Sequence, residues 1–511
     1  MFSRVISCAV DGVDGHIIEV EVDMNQGLPA FDIVGLPDSA VKESKERVKA
    51  AIKNCGFAIP PRHITVNLAP ADIRKKGSIY DLPIAVGILT CMDVLKKPRV
   101  NDIADMMIAG ELSLDGSIRP VEGALPMVCA ALDAHVNKCV LPMENCGEAL
   151  LAEGMEVYGA ESLKRLIGDI NGGALKRASG EAFQPQDGEE GEDYPDFADV
   201  RGQGSVKRAV EIAAAGGHNT LIIGPPGSGK TMIAKRLPGI LPDLTFEERM
   251  SVTKIYSVAG LLKSKGSIIK KRPFRAPHHT TSYASLVGGG HVPSPGEISL
   301  AHNGVLFLDE LPEFQASVLE TLRQPMEEYE ITVSRANATA VFPADFMLVA
   351  AMNPCRCGYY GDRQKCTCSQ AEISKYLGRI SGPFLDRIDI QVESAKIRYS
   401  ELKAARGEET SACIKERVTA ARDIQARRYR DEGVKLNARL SVKQINQYCP
   451  LGEAEHQLLE NIDFIGVSAR GHHKILKVAR TIADLDKSER ITVAHLAEAI
   501  QYRGLDRKFW N

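Results

Sequence analysis

One stretch decides the fold of the central part of this 511-residue chain: Leu221-Ile222-Ile223-Gly224-Pro225-Pro226-Gly227-Ser228-Gly229-Lys230-Thr231. Its apolar start predicts a short buried strand, and the glycine-rich turn that follows leads into a helix. Such glycines let backbone N–H groups turn towards phosphates, and the N-terminus of the helix adds partial positive charge. Lys230 is predicted to reach the β- and γ-phosphates of ATP, and the Thr231 hydroxyl to bind Mg²⁺. The alternative interpretation is a plain glycine-rich turn.

Two further apolar strands end in polar side chains. Val305-Leu306-Phe307-Leu308 leads into Asp309 and Glu310, and the run 348–352 leads into Asn353. Asp309 is predicted to help bind Mg²⁺ through water, and Glu310 to polarise the attacking water as general base. Asn353 is predicted to position that water. The alternatives are a strand with an acidic end and an ordinary turn before a proline.

The order of these motifs resembles that of AAA+ ATPases, and longer segments are similar to the magnesium-chelatase-like branch, in particular its bacterial YifB/ComM type. The similar segments are Asp199–Gln203, Phe274–Thr280, Pro295–His302, Ser381–Asp389, Ser468–Arg470 and Ile475–Leu485. The resemblance covers nearly the whole chain. It implies an α/β fold in which an AAA+ P-loop domain with a helical lid follows an α+β Lon-protease-like domain.

The resemblance also implies roles for individual residues. The expected nucleotide-binding residues are Val200, Gly224, Pro225, Pro226, Gly227, Ser228, Gly229, Lys230 and Thr231. Arg387 would be the arginine finger that enters a neighbour's site, and Arg470 would touch the γ-phosphate from the lid. A finger supplied in trans makes assembly a condition of activity, so a homo-hexameric ring is expected. Without the resemblance, Arg387 between two acidic residues would be interpreted as a salt-bridged surface residue.

Four cysteines crowd into one short loop: Cys355, Cys357, Cys366 and Cys368. Four sulfurs suit a structural, tetrahedral Zn²⁺ site. The Cys-x-Cys spacing is tighter than the usual Cys-x-x-Cys, and both an Fe–S cluster and four reduced thiols remain alternatives. The loop directly follows Asn353, so a bound metal would order it beside the ATP site.

Four parts are predicted along the chain. They are a Lon-protease-like domain (1–170), an acidic linker (171–199), an AAA+ core with the cysteine insert (200–395) and a helical C-terminal lid domain (396–511). Residues 180–199 carry eight acidic residues and no Lys or Arg, which is typical of a linker. In the first domain the resemblance aligns Asp81 and Leu125 with the positions of the protease's catalytic Ser and Lys. We therefore expect no peptidase activity, since a Ser–Lys dyad needs both partners.

Three features indicate contact with DNA. Residues 330–342 predict a β-hairpin, and related helicases place such a hairpin in a central channel, where Arg335 would be within reach. A glycine-rich loop (287–291) is the second feature, and a late arginine-rich helix (414–429) with Tyr429 is the third. A solvated or internally paired arginine face is the alternative for that helix. The net charge of −3 gives no global attraction to nucleic acid, so any DNA contact must be local.

Bulk properties of the sequence predict a cytoplasmic protein with no membrane contact. The sequence lacks an apolar run of membrane-spanning length and a signal-peptide pattern at its start, so its cysteines are expected as thiols or metal ligands. The leading hypothesis is a ring-forming, ATP-hydrolysing DNA helicase or branch-migration motor in recombination or natural transformation. The alternatives are an ATPase that remodels a protein complex, a magnesium-chelatase-like metal-insertion ATPase, and a non-hydrolysing nucleotide-gated scaffold.

Overall fold

A computed structural model describes most of the chain. The described residues are 1–96, 99–179, 194–262, 268–290, 293–335, 338–362, 364–396, 408–463, 469–505 and 509–510. Of the predicted acidic linker, residues 180–193 lie outside them. Residues 173–179 still pack on the first domain, where Ala178 N donates to Val157 O at 2.8 Å. Phe197, near the end of the predicted linker, is buried in the core of the second domain.

The first domain is built on a seven-stranded mixed sheet with the order β3-β4-β2-β1-β5-β8-β9. Its strands, with the small β6–β7 ladder, are β1 (Phe2–Asp11), β2 (Asp14–Asn25), β3 (Ala30–Val34), β4 (His63–Ala69), β5 (Met107–Ile108), β6 (Glu111–Leu112), β7 (Ile118–Arg119), β8 (Lys138–Pro142) and β9 (Glu156–Ala160). Its helices are α1 (Ser39–Asn54), α2 (Asp81–Cys91), α3 (Arg99–Ala104), α4 (Ala124–Asp133), α5 (Cys146–Ala149) and α6 (Leu163–Gly172).

Local sequence explains these elements. Side chains along β4 alternate between buried and half-buried, as expected of a strand with one face on the core. Helix α1 begins where the Asp38 carboxylate accepts a hydrogen bond from Val41 N at 2.8 Å, which satisfies a free donor of the first turn. Helix α2 is buried on nearly every side, and its sequence is apolar accordingly.

The second domain contains a five-stranded sheet with the order β11-β14-β17-β10-β18, and its recorded pairings are all parallel. The strands of this domain are β10 (Thr220–Ile223), β11 (Phe274–Arg275), β12 (Gly288–Gly289), β13 (Ser294–Pro295), β14 (Val305–Leu308), β15 (Glu330–Arg335), β16 (Ala338–Pro343), β17 (Met347–Met352) and β18 (Ile390–Glu393). Its helices are α7 (Gly204–Gly216), α8 (Lys230–Ala234), α9 (Leu237–Ile240), α10 (Phe246–Val258), α11 (Tyr283–Val287), α12 (Glu297–Leu300), α13 (Ala316–Thr321), α14 (Arg323–Glu328), α15 (Gln370–Leu377) and α16 (Gly382–Leu385). The predicted mixed α/β architecture with a parallel sheet is thereby confirmed.

The C-terminal part is helical and shares a core with α7. Its helices are α17 (Ser411–Arg428), α18 (Val442–Tyr448), α19 (Glu453–Asp463), α20 (Ala469–Leu485) and α21 (Val493–Gln501). Across the described residues, no helix combines the length and the apolar character needed to cross a bilayer.

The first domain docks on the second through α4 and α10. Gly123 N, at the start of α4, donates to Ser257 O at 3.3 Å. Glu148 is buried at this contact and accepts a hydrogen bond from Leu125 N at 2.8 Å and another from the Ser257 hydroxyl. Burial raises the pKa of this carboxyl, against the lowering effect of these hydrogen bonds. The docking contact therefore includes an ionisable group at its centre.

Candidate functional site

The glycine-rich loop lies between β10 and α8, as its sequence predicts. Gly227 and Gly229 have φ angles of 73° and 86°, a left-handed conformation that glycine adopts without strain. Lys230 is the first residue of α8, and its ammonium donates to Gly224 O at 2.7 Å and to Pro225 O at 3.0 Å. Burial lowers the pKa of this ammonium, while the carboxylates of Asp309 and Glu310 act to raise it. The loop thus holds a partly buried lysine facing two acids.

The ends of three adjacent parallel strands bring the predicted polar residues together. β17 lies between β14 and β10, so Asn353 and, one strand further away, Asp309 lie on the same side of the loop that follows β10. The Thr231 hydroxyl donates to Asp309 Oδ2 at 2.6 Å, and Lys230 donates to Asn353 Oδ1 at 3.2 Å. A hydroxyl beside a carboxylate is a pair of oxygen ligands suited to Mg²⁺. The site can therefore hold a nucleotide triphosphate with its metal.

Glu310 has an unusual backbone and an unforeseen neighbour. Its φ angle is 53°, and its amide donates to Asp309 Oδ1 at 2.9 Å. Nδ1 of His279 lies 3.3 Å from Glu310 Oε2. His279 follows the edge strand β11, which runs parallel to β14, so the pairing of these two strands produces this contact. This contact between His279 and Glu310 was not predicted from the sequence.

Gln203 is a second residue that the sequence did not single out. Its side-chain amide donates to Ser228 O at 3.0 Å and to Ala395 O at 2.6 Å. It thereby joins the segment containing the buried Val200 to the glycine-rich loop and to the end of β18. The segment Asp199–Gln203, which includes Val200 and Gln203, was the sequence signal that could have identified Gln203.

Arg387 lies at the opposite edge of the sheet from the glycine-rich loop. Asn219, which directly precedes β10, donates through Nδ2 to Arg387 O at 3.2 Å and accepts from Leu348 N at 2.9 Å. β10 has four residues, so its two ends are separated by roughly 13 Å. Arg387 therefore cannot contact the nucleotide site of its own chain without a large rearrangement.

Arg470 shares this opposite edge with Arg387. Both line one pocket, and other cationic side chains there are Arg439, His473, Lys474 and Lys477. Arg470 lies at the start of α20 and is exposed. The structure thus places the two arginines together, rather than one at each of two sites.

The four cysteines form one cluster directly after Asn353. Their sulfurs lie within 4.8 Å of one another, and the separations of Cys355 from Cys357, Cys355 from Cys366, and Cys357 from Cys366 are 3.3, 3.9 and 3.7 Å. Tetrahedral Zn²⁺ with Zn–S bonds of about 2.3 Å separates its sulfurs by about 3.8 Å. The donor set therefore fits a tetrahedral zinc ion.

One side of the late arginine-rich helix, α17, packs against the interior through Ile414, Val418, Ala421 and Gln425. Arg417 pairs with Glu211 at 2.5 Å, and Arg422 donates to Ala214 O at 2.7 Å. Arg428 pairs with the buried Asp484, and Tyr429 is also buried. The internally paired alternative therefore applies to these three arginines, whose partners lie on α7 and α20, whereas Arg427 and Arg430 are exposed. The predicted hairpin does form, as β15 and β16, while the side chain of Arg335 lies outside the described residues.

In the first domain, the positions aligned with the protease dyad hold structural residues. Asp81 is fully buried and pairs with Arg47, whose Nε lies 2.7 Å from Asp81 Oδ2. Burial raises the pKa of this carboxyl, and the hydrogen bond from Arg47 opposes the rise. Leu125 is fully buried. Neither position presents a nucleophile or a base.

Comparisons with known proteins agree with this organisation. A family model described as magnesium chelatase, subunit ChlI, matches residues 196–402. A second, subunit ChlI of Mg-chelatase, matches residues 20–145, and a third, the ChlI C-terminal region, matches residues 408–503. The three matches correspond to the first domain, the second domain and the C-terminal helices.

Individual relatives extend over the full chain. Competence protein ComM of Haemophilus influenzae is 44% identical over 509 residues, covering 98% of this chain and 97% of that protein. YifB of Escherichia coli is 44% identical over 509 residues, covering 99% and 97%. The magnesium-chelatase 67 kDa subunit of Chlorobaculum tepidum is 29% identical over 162 residues, 31% of this chain and 23% of that protein. The protein therefore belongs to the YifB/ComM-type group of magnesium-chelatase-like ATPases.

Proposed function

We propose that this protein is a ring-forming AAA+ motor that hydrolyses ATP to move on DNA, as a helicase or a branch-migration enzyme. The observation that carries the proposal is the position of Arg387 and the glycine-rich loop at opposite ends of β10. One chain then supplies the nucleotide pocket, and its neighbour supplies the arginines. A head-to-tail assembly completes each site between two neighbouring chains, and a closed ring, such as a hexamer, leaves none incomplete.

In the proposed reaction each residue acts on the nucleotide or on the attacking water. Lys230 leaves its loop carbonyls to bind the β- and γ-phosphates, while backbone amides of the loop bind the remaining oxygens. Thr231 and Asp309 would hold Mg²⁺, which would supply positive charge to neutralise the phosphates. Glu310 polarises the water and Asn353 orients it. Arg387 and Arg470 of the adjoining chain stabilise charge on the departing phosphoryl group.

The cysteine cluster is proposed to hold a structural zinc ion. The loop rests on the glycine-rich loop, since a Cβ built on Gly358 would lie 2.4 Å from Cδ of Pro226. Fixing this loop with a metal would also fix one wall of the nucleotide pocket. Cys355 is buried in the core of the second domain, which ties the cluster to the main body of that domain.

DNA is the proposed cargo because the second domain projects a β-hairpin. In β16, Val341 is 45% exposed although its neighbour Phe342 is buried, so one face of this hairpin is available to a ligand. Arg335 ends the first strand of the hairpin. The relative ComM is named a competence protein, which favours the same cargo. The first domain is proposed to be Lon-protease-like without peptidase activity, and the C-terminal helices to form a lid.

The test is ATP turnover by the purified protein, alone and with single-stranded, duplex and four-way-junction DNA. The Glu310→Gln variant serves as the blank. We expect turnover to rise several-fold with DNA, and most with the junction. Turnover that is indifferent to every DNA would overturn the DNA motor and favour an ATPase that remodels a protein complex or assists metal insertion.

A further inference from the structure

Arg387, the proposed finger, is held in a retracted position. Its Nη2 lies 2.7 Å from Glu327 Oε1, and its Nη1 donates to Pro383 O at 2.6 Å. The side chain is 9% exposed. A finger has to place its guanidinium on a phosphate bound by another subunit. The contact with Glu327 must therefore break before Arg387 can act.

Glu327 is the carboxylate in direct contact with the finger. Glu320 is also near, but it is already engaged by Arg323 at 2.7 Å and by the Ser381 hydroxyl at 2.6 Å. The side chain of Glu327 is 53% exposed. Water can therefore replace Glu327 as the partner of Arg387, and this contact is easier to break than a fully buried ion pair.

The retracted position is not ideal for the finger. Among the described residues, Nε of Arg387 is buried without a hydrogen-bond partner. A buried unsatisfied donor is unfavourable, so it offsets part of the stabilisation that the contact with Glu327 gives to the retracted side chain. Such a balance suits a restraint that is released during a cycle rather than a permanent structural bridge.

The hairpin proposed to meet DNA is joined directly to this contact. Glu327 lies on α14, which ends one residue before Tyr329, and β15 begins at Glu330. Tyr329 has a φ angle of 61°, and its carbonyl accepts from Ala344 N, just after β16, at 2.7 Å. The base of the hairpin and the residue that holds the finger are thus separated by a single tight turn.

We propose that Glu327 is a latch that keeps Arg387 retracted, and that displacement of the β15–β16 hairpin by DNA releases it. This inference rests on the proposed function, because it assigns the hairpin to DNA and the finger to a neighbouring site. Glu327 is a positioning residue in this scheme, since it acts on hydrolysis through Arg387. DNA bound to one chain would then promote hydrolysis at the adjoining site.

The test is the Glu327→Gln variant, which keeps the shape of the side chain and removes its charge. We expect its turnover without DNA to rise about fivefold, with KM for ATP changed by less than about twofold, and the further stimulation by DNA to shrink. Glu328→Gln is the matched control, because Glu328 is on the same helix and bonds to Gln324 at 2.8 Å. That control should behave like the unaltered protein.

A double variant separates a latch from a general structural effect. In the Arg387→Ala background, Glu327→Gln should add nothing, because the group it restrains is absent. A rise that persists in this background, or a single variant with unchanged or reduced turnover, would overturn the latch. If DNA fails to stimulate the unaltered protein while Glu327→Gln still raises turnover, the motor proposal fails and the restraint of Arg387 by Glu327 is supported.

Discussion

Gly358 of the cysteine loop lies so close to Pro226 of the glycine-rich loop that a Cβ on Gly358 would be 2.4 Å from the Pro226 Cδ atom. Gly358 also has a φ angle of 85°. Both facts require glycine here, the first for space and the second for backbone conformation. The two loops are therefore packed against each other, and a change in the cysteine loop should alter the conformation of the glycine-rich loop.

The first prediction concerns this contact. Gly358→Val should raise KM for ATP by about tenfold or more, because the added side chain displaces the loop that receives the phosphates. The measurement is ATP turnover as a function of ATP concentration. Gly361→Ala is the control, since Gly361 also has a positive φ but has open space around it. Equal effects of the two variants would refute a role for the contact with Pro226.

The second prediction concerns the metal. Cys357→Ser should lower the bound zinc from about one ion per chain towards none, since a three-sulfur site binds more weakly. Elemental analysis of the purified protein measures the zinc, and thermal unfolding measures the accompanying loss of stability. Cys413→Ser is the control, because Cys413 is exposed and far along the chain from the cluster. Iron in place of zinc would instead support an Fe–S cluster.

The third prediction tests whether the finger acts in trans. Arg387→Ala and Glu310→Gln should each abolish turnover. Mixed in equal amounts, they should regain up to about a quarter of full activity, because random assembly gives about a quarter of the sites an intact base and an intact neighbouring finger. Pre-assembled rings that cannot exchange subunits provide the control. An inactive mixture, with exchange verified, would count against the trans arrangement.

The fourth prediction concerns α17. Arg428→Ala should destabilise the protein by about 2 kcal/mol, because it removes one of the two arginines that pair with the buried carboxylate of Asp484 and leaves Arg480 as the other. Denaturant unfolding measures the change. Arg427→Ala is the control, as Arg427 is exposed and bonds within its own helix to Asp423 O at 3.2 Å. DNA affinity should be the same in both variants once folding is accounted for, which a direct binding titration checks.

The nucleotide site could be predicted from sequence because its parts obey one geometric rule. Residues that follow parallel strands lie at the same edge of a sheet. The sequence therefore predicts that Lys230, Asp309 and Asn353 lie near one another. The contact of His279 with Glu310 was not foreseen, because it depends on a two-residue edge strand that carries no distinctive pattern.

Long-range pairing explains where the sequence was misleading. The arginine-rich pattern of α17 suggests an exposed basic face that includes Arg417 and Arg422. Their partners, Glu211 and Ala214, lie about two hundred positions earlier in the chain. Similarly, Lys75 stands in the basic run Arg74-Lys75-Lys76, yet it is fully buried and donates to Pro70 O. Neither helical periodicity nor local charge reveals a partner that the tertiary fold brings in.

The separation of Arg387 from the glycine-rich loop by the length of β10 has a kinetic consequence. In the proposed scheme a single chain has a nucleotide pocket without arginines and a pair of arginines without a pocket. The active site therefore forms only at the interface between two chains. At dilutions below the assembly threshold, the rate should rise more steeply than in proportion to the amount of protein. An open stack would always end in one pocket lacking its arginines and one pair of arginines facing water, so closing the circle gains one further working centre without an additional chain.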